Sequence, residues 1–451
     1  MFYSGINGLE MRQNIKEAYM KLVIKNGYVL DPASGREGKY DILVQDGVIV
    51  AVESCIDVAA ERIIDASGLT VMPGFIDLHV HLREPGFEYK ETIKTGSMAA
   101  AAGGYTTICP MPNTKPAIDS PEMVTWLLEK AKTDSPIRIL PVGAITKGQE
   151  GKEMVDIAAM AQAGAAAFSE DGKSVMNAAL YCQAMKEAAK VNCPVFAHCE
   201  DKELVRGGVM NAGEKAEELG LPGITNAVED VITMRDILLA KETGARLHLC
   251  HCSTKDSVAF VDWAKKEGIA VTAEVCPHHF TMTEDEIPSD DANYKMNPPL
   301  RAKADVEALK AGLASNIMEV ISTDHAPHGA EEKAQSMLKA PFGIVGSETA
   351  YALGMTTLVK GGLLTQMQLV EKMSANPAKV LQMEGKIGCL KEGAYADIVL
   401  AKPDEEYEIC ADAFYSMGKN TPFDGWKVSG RIYMTIFNGE VVYEKPETVL
   451  L

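Results

Sequence analysis

The sequence predicts an α/β chain: a (β/α)8 barrel accompanied by a small β-domain that both ends of the chain build together. Two observations carry this reading. In the middle of the chain, eight apolar strand-like runs alternate with Ala- and Glu-rich helical stretches. At the two ends, short alternating runs are broken by Asp46-Gly47 and Asn438-Gly439. Asx-Gly between alternating runs is a hairpin signal, and isolated hairpins are marginal in water, so the economical arrangement pairs the two ends with each other. The expected boundaries are an extension at 1–19, the composite β-domain at 20–72 with 386–451, and the barrel at 73–385.

The elements follow in chain order. Residues 1–19 mix charged and polar groups and lack the apolar stretch of a signal peptide. They read as a peripheral extension ahead of "MKLVIKNG", with Met20 as an alternative start. "KLVIKNG" and "YDILVQDGVIVAVE" supply the first strands, and "ADIVLAK" and "GRIYMTIFNGEVVYE" the last. The eight barrel runs are "GFIDLHVH", "YTTICPMPN", "IRILPVGA", "AAAFSEDG", "CPVFAHCE", "RLHLCHCS", "AVTAEVCPHH" and "EVISTDHAPH". Helical stretches between them include 177–190 and 229–244. A doubly wound open sheet is the alternative, but it needs a glycine-rich phosphate loop after an early strand, and none is present.

Composition narrows the function classes. A chain of 451 residues, 47 % of them hydrophobic, can bury a large core and more than one domain. Its net charge, 44 − 63 = −19, argues against a nucleic-acid binder, which needs a basic surface. No segment approaches the ~20 uninterrupted apolar residues that span a bilayer, so no membrane partner is expected. The ten cysteines fall at irregular spacings, mostly inside apolar runs, which suits reduced thiols in a cytoplasmic protein.

The candidate chemistry lies at strand ends, where barrel active sites form. His79 and His81 close the first run, and strand alternation turns residues i and i+2 the same way, into the barrel mouth. Asp171 closes the fourth run, His198 the fifth, His251 the sixth and Asp324 the eighth. Nitrogen and oxygen donors on five strand ends suit one or two divalent ions, zinc first among them. In "HLCHC", alternation puts His248, Cys250 and Cys252 on one face and His251 on the other, so the cysteines are expected to pack under the helices. His278 and His279 are expected to be structural. Arg83 continues the i, i+2 series from His79 and His81. Arginine grips carboxylates through two parallel hydrogen bonds; the competing expectation is a surface ion pair with Glu84 or Glu88. The stretch from Gly329 to Gly346 reads as a lid over the mouth or as an ordinary solvated loop.

"DLHVHLREPG", "MPNT", "FSEDG", "AHCE", "CHCST", "MNPPLR", "TDHAPH" and "APFG", in that order, resemble the dihydroorotases of the amidohydrolase superfamily, more narrowly the longer bacterial type. The resemblance runs from about Met20 to the C-terminus. It implies a cytoplasmic zinc hydrolase of pyrimidine biosynthesis that opens dihydroorotate to N-carbamoyl-L-aspartate and closes it again. It implies that His79, His81 and Asp324 bind one zinc ion and that His198 and His251 bind a second. Asp171 would bridge them where many relatives use a carboxylated lysine; the nearest lysine, Lys173, is out of step. Asp324 would shuttle the proton. Arg83, Asn113 and His328 would bind the substrate carboxylate, Asn297 and the backbone at Phe342 and Gly343 would read the ring amides, and His81 would also face the substrate. A homo-oligomer, a dimer first, and a complex with aspartate transcarbamoylase are the implied partners. Two alternatives compete. A hydantoinase or allantoinase acts on rings without this carboxylate, which leaves Arg83, Asn113 and His328 without a task. A non-catalytic scaffold for aspartate transcarbamoylase would be free to lose the ligands that this chain keeps.

Overall fold

The computed structural model describes residues 21–446; the expected extension at 1–19 lies outside them. Strands from both ends share one sheet. In spatial order its strands are Glu440–Glu444, Lys427–Phe437, Ile398–Glu408, Thr70–Pro73, Lys21–Asp31, Arg36–Gln45 and Val48–Glu53, with Arg62–Asp65 also on Lys21–Asp31. Thr70–Pro73 is the seam. It runs parallel to the first strand (Tyr28 opposite Thr70) and antiparallel to Ile398–Glu408 (Val399 opposite Met72). The apolar face is assembled from both ends: Leu22, Ile24, Ile42 and Val71 pack with Leu390, Ile398, Leu400 and Ile436. Each such side chain, fully buried, contributes about 2 kcal/mol. Both turn dipeptides take positive φ, 51° and 75° at Asp46-Gly47 and 49° and 81° at Asn438-Gly439, as tight hairpins require. The two tips also touch: a Cβ on Gly47 would meet the Asn438 carbonyl at 2.9 Å.

The barrel strands are Phe75–Val80, Tyr105–Pro110, the split pair Arg138–Ile139 and Val142–Ala144, then Ala167–Ser169, Val195–Ala197, Leu247–Leu249, Val271–Val275 and Val320–Ile321. Paired neighbours are parallel throughout. The third strand breaks at Leu140-Pro141, where proline has no N–H for a ladder. The ring closes through a bridge from Val80 to His325, with the His81 N–H on the His325 carbonyl at 2.8 Å. Helices occupy the intervals. Ala178–Lys190 starts where the Asn177 side chain accepts from the N–H groups of Ala179 and Leu180, and Ala227–Thr243 stops at Gly244 with φ 69°. Below the mouth the barrel is solid: Ile76, Leu78, Val142, Phe196, Cys250 and Val320 pack together, with Val380 and Ile387 beneath. Arg138 of the third strand pairs with Asp397 at 2.5 Å, which ties the barrel to the sheet. Among the described residues no helix is long and apolar enough to cross a membrane.

Candidate metal centre and substrate pocket

The strand ends deliver the predicted donors to one place. His79, His81 and Asp171 form one group of ligand atoms within 4.8 Å of one another, and Asp171, His198 and His251 form a second. Asp171 belongs to both. Its Oδ1 lies 3.2 Å from His79 Nε2 and 3.6 Å from His198 Nδ1, and its Oδ2 lies 3.8 Å from His81 Nε2. Asp324 Oδ1 sits 3.1 Å from His81 Nε2 and 3.6 Å from His79 Nε2. The donor set fits divalent ions on an observation of its own. His79 Nε2 is wholly buried and has no hydrogen-bond partner, although carboxylate oxygens surround it off-line. A buried nitrogen without a partner is costly, and a cation between it and the carboxylates removes the cost.

The protonation states are those of a tightly coupled cluster. Burial pushes the Asp324 carboxyl up, but His79 and the hydrogen bond from His81 outweigh it and hold it below the usual carboxylate range. Asp171 goes the same way, burial being overcome first by His79. His251, desolvated and facing His198 and His79, is pushed down to about 3, so its imidazole is neutral.

Three of the four imidazoles are held from behind. His79 Nδ1 lies 3.1 Å from Glu274 Oε1, His81 Nδ1 3.0 Å from Asn113 Oδ1, and His198 Nε2 2.9 Å from Glu200 Oε2. Such partners fix tautomer and ring orientation. The amide of Asn113 also joins the cluster through its other end, where Nδ2 donates to Asp171 Oδ2 at 2.8 Å. Glu274 and Glu200 were not singled out by sequence reasoning. The signal was available for Glu274: a carboxylate inside the apolar strand Val271–Val275 is costly to bury unless something pairs with it. It also accepts from His248 at 3.0 Å and from the His251 N–H at 3.1 Å.

A cavity of about 180 Å³ opens above this cluster. Its lining includes His81, Arg83, Asn113, Asp171, His198, His251, Asn297, Asp324, Phe342 and Gly343. His79 lies beneath, fully buried, and His328 stands behind Arg83. Arg83 Nε donates to the Pro327 carbonyl at 3.1 Å, and Nη2 lies 3.2 Å from His328 Nε2. Burial lowers the Arg83 pKa to about 10, with Asp324 opposing, so it stays charged at neutral pH. Among the described residues no carboxylate forms an ion pair with it. Glu84 instead accepts from the Ile93 N–H and Glu88 from the Gly86 N–H. His328 Nε2 donates to the Phe342 carbonyl at 2.7 Å, and its Nδ1 faces Lys90 Nζ at 3.2 Å; desolvation, Arg83 and Lys90 push its pKa to about 2. A larger cleft, about 930 Å³, lies between sheet and barrel against Tyr28, Lys39, Lys360 and Asp404, far from this cluster in character: it contains no imidazole.

Three expectations need correction. Arg83 does not reach the mouth by strand alternation; the strand ends at Val80, and Arg83 sits in a turn at φ 62°. Alternation likewise fails at His251, which lies past Leu247–Leu249 at φ 34°. Cys250 therefore packs inside the barrel beside His79 and Glu274, while Cys252 packs with Leu247 and Leu249 in the core shared with the helices. Finally, 329–346 is no solvated loop. Met337, Ala340, Ile344 and Val345 are buried in it. Lys333 Nζ donates to the carbonyls of Lys295 (3.2 Å), Pro341 (3.2 Å) and Gly343 (2.8 Å), and Lys295 Nζ to those of Met337 and Ala340 (2.5 and 2.6 Å). His278 and His279 are buried in a short turn of helix, with His279 Nε2 on the Pro298 carbonyl at 2.9 Å.

A parallel barrel with imidazoles and carboxylates at its strand ends, beside a sheet shared by the chain termini, defines the amidohydrolase architecture. Solved structures agree. An L-hydantoinase (dihydropyrimidinase) from Arthrobacter aurescens matches with a TM-score of 0.84 and 29 % identity, over 95 % of this chain and 97 % of that one. A D-hydantoinase (dihydropyrimidinase) from a Thermus species matches at 0.81 and 26 %, over 94 % and 95 %. The family model described as Dihydro-orotase-like covers residues 68–257. A dihydroorotase from Staphylococcus aureus is 50 % identical over 426 residues, 94 % of this chain and 99 % of the relative. One from Staphylococcus epidermidis is 49 % identical over 428 residues, 94 % and 100 %. The chain belongs to the dihydroorotase family.

Proposed function

We infer that the chain hydrolyses the cyclic amide of dihydroorotate to N-carbamoyl-L-aspartate and catalyses the reverse closure, a step of pyrimidine biosynthesis. The observation that carries this reading is Arg83: a charged guanidinium on the cavity wall, beside the metal-type cluster, donating to the Pro327 carbonyl with the His328 imidazole next to it, and with no carboxylate partner among the described residues. Dihydroorotate brings a carboxylate on the ring carbon beside its ureido nitrogen, one CH2 away from the scissile carbonyl. A hydantoin or dihydrouracil ring does not.

In this reading His79, His81 and Asp324 would hold one zinc ion and His198 and His251 a second, with Asp171 available to both. When bound, the ions supply Lewis acidity, polarising the scissile carbonyl and bringing the pKa of water toward about 7. The rest falls to the chain. Asp324, ionised and on the cavity wall, accepts the proton of the attacking water and returns it to the departing ring nitrogen. Arg83, with His328 behind it, orients the carboxylate; Asn113 steadies His81 and Asp171; Asn297 and the backbone at Phe342-Gly343 meet the ring amides. The retained donor set speaks against a non-catalytic scaffold for aspartate transcarbamoylase. A cytoplasmic homodimer, free or in such a complex, remains compatible with the acidic, reduced-cysteine composition. The test is direct: zinc-loaded protein, with metal quantified, is assayed for dihydroorotate opening and for N-carbamoyl-L-aspartate closure. Metal-loaded protein inactive in both directions would refute the reading.

A further inference from the structure

We propose that Glu200 is a positioning residue that sets, through one carboxylate oxygen, both the nitrogen that His198 turns to the metal centre and the amide atom that Asn297 turns to the substrate. Glu200 Oε2 lies 2.9 Å from His198 Nε2 and also takes a hydrogen bond from Asn297 Nδ2. Asn297 Nδ2 is a donor, so Glu200 Oε2 meets it as an acceptor, and the same oxygen faces His198 Nε2. His198 therefore carries its proton on Nε2 and keeps a lone pair on Nδ1, the atom 2.9 Å from His251 Nε2 and 3.6 Å from Asp171 Oδ1. By the same logic Asn297 gives its NH2 group to Glu200. Its Oδ1 then has no donor among the described residues and is the atom offered to the cavity that Asn297 lines. An acceptor at that point selects a ring N–H and rejects a carbonyl.

The backbone holds Glu200 for this task. Its N–H donates to Ser174 Oγ at 3.2 Å, and Ser174 Oγ donates to the His198 carbonyl at 2.5 Å, so residues 198–200 are clamped to the loop after the fourth strand. Glu274 is the useful contrast. It holds His79, His248 and the His251 N–H, and touches no residue assigned to the substrate.

The substrate half of this proposal rests on the reading of Asn297 given above; the metal half does not. Glu200→Ala should weaken the zinc affinity of the apoprotein, read by chelator competition, about 10–100-fold. It should also raise KM for dihydroorotate about tenfold, with a smaller change in kcat at saturating zinc. In an Asn297→Ala background the same substitution should move KM by no more than about twofold, while the zinc loss persists in full. Glu274→Gln should weaken zinc binding and leave KM unchanged. Glu200→Gln, isosteric and still an acceptor, should lose part of both and serves if the alanine variant does not fold. Unchanged zinc affinity and KM in folded Glu200 variants would overturn the proposal. KM effects at 200 and 297 that multiply independently would overturn the link between the two residues. An Asn297→Ala protein with unchanged KM would remove Asn297 from substrate reading and with it that half of the proposal, leaving the zinc measurement to decide the other.

Discussion

The two ends of the cavity are built on opposite principles. At the metal end, donors stand at strand ends, and three imidazoles have their second nitrogen committed to Glu274, Asn113 or Glu200. Charge there is dense and predominantly that of carboxylates, with His251 neutral. At the other end Arg83 stands on a turn, and its charge is unspent: it is a desolvated cation that donates to the Pro327 carbonyl and pairs with no carboxylate among the described residues. The first end offers imidazole and carboxylate donors to cations. The second offers a guanidinium to an anion. A small ring that carries both a scissile amide and a carboxylate satisfies the two at once, and this difference separates the reading proposed here from a hydantoinase that shares the same barrel.

The largest effect is expected at the first end. Asp171→Ala removes the one carboxylate shared by both ligand groups. It should lose zinc as well as rate, by more than the ~10–100-fold that loss of an outer partner costs. Because an aspartate is ionised at neutral pH with a reference pKa of about 3.9, apoprotein of the unaltered chain should recover activity with zinc alone in bicarbonate-free buffer. A strict bicarbonate requirement would place a carboxylated lysine in the bridge instead. Arg83→Met should act at the second end only. A charged two-point contact is worth about 1.5–3 kcal/mol, so kcat/KM for dihydroorotate should fall ~10–100-fold with zinc content unchanged. Zinc loss in that variant would erase the distinction between the ends.

Lys333 gives a smaller, pH-dependent signal. Burial, and then Lys295, lowers its pKa to about 7 from 10.5. Between those values the unfolded chain binds the proton and the folded chain does not, so this lysine's contribution to stability rises with pH from about 7 to about 10.5 and is lost as pH falls back through 7. Thermal melts of the unaltered protein should therefore gain on those of Lys333→Met across that window. Parallel curves would mean that the three carbonyls keep Lys333 protonated.

How much of this was legible follows the same division. The eight strand runs and the donors that close them were readable because alternation and strand-end placement are local rules. Asp46-Gly47 and Asn438-Gly439 announced the hairpins for the same reason. Alternation stopped being a guide where strands stopped: Arg83 at φ 62° and His251 at φ 34° reach the cavity from turns, and Cys250 points inward. The partners of Glu200 and Glu274 are not legible in the sequence, because residues as distant along the chain as Asn297 and His79 are brought near them only by the closed barrel. The packing of 329–346 was hidden too, since Lys333 in a polar run reads as solvated until three carbonyls are found around its ammonium.

In the proposed reading the second end takes a carboxylate. The measurement is kcat/KM of the zinc-loaded, unaltered protein for dihydroorotate and for dihydrouracil, side by side. The contact energy of Arg83 predicts a preference for dihydroorotate of at least ~10-fold, shrinking toward parity in Arg83→Met. Equal constants, or a preference for the neutral ring, would contradict the account and favour a hydantoinase.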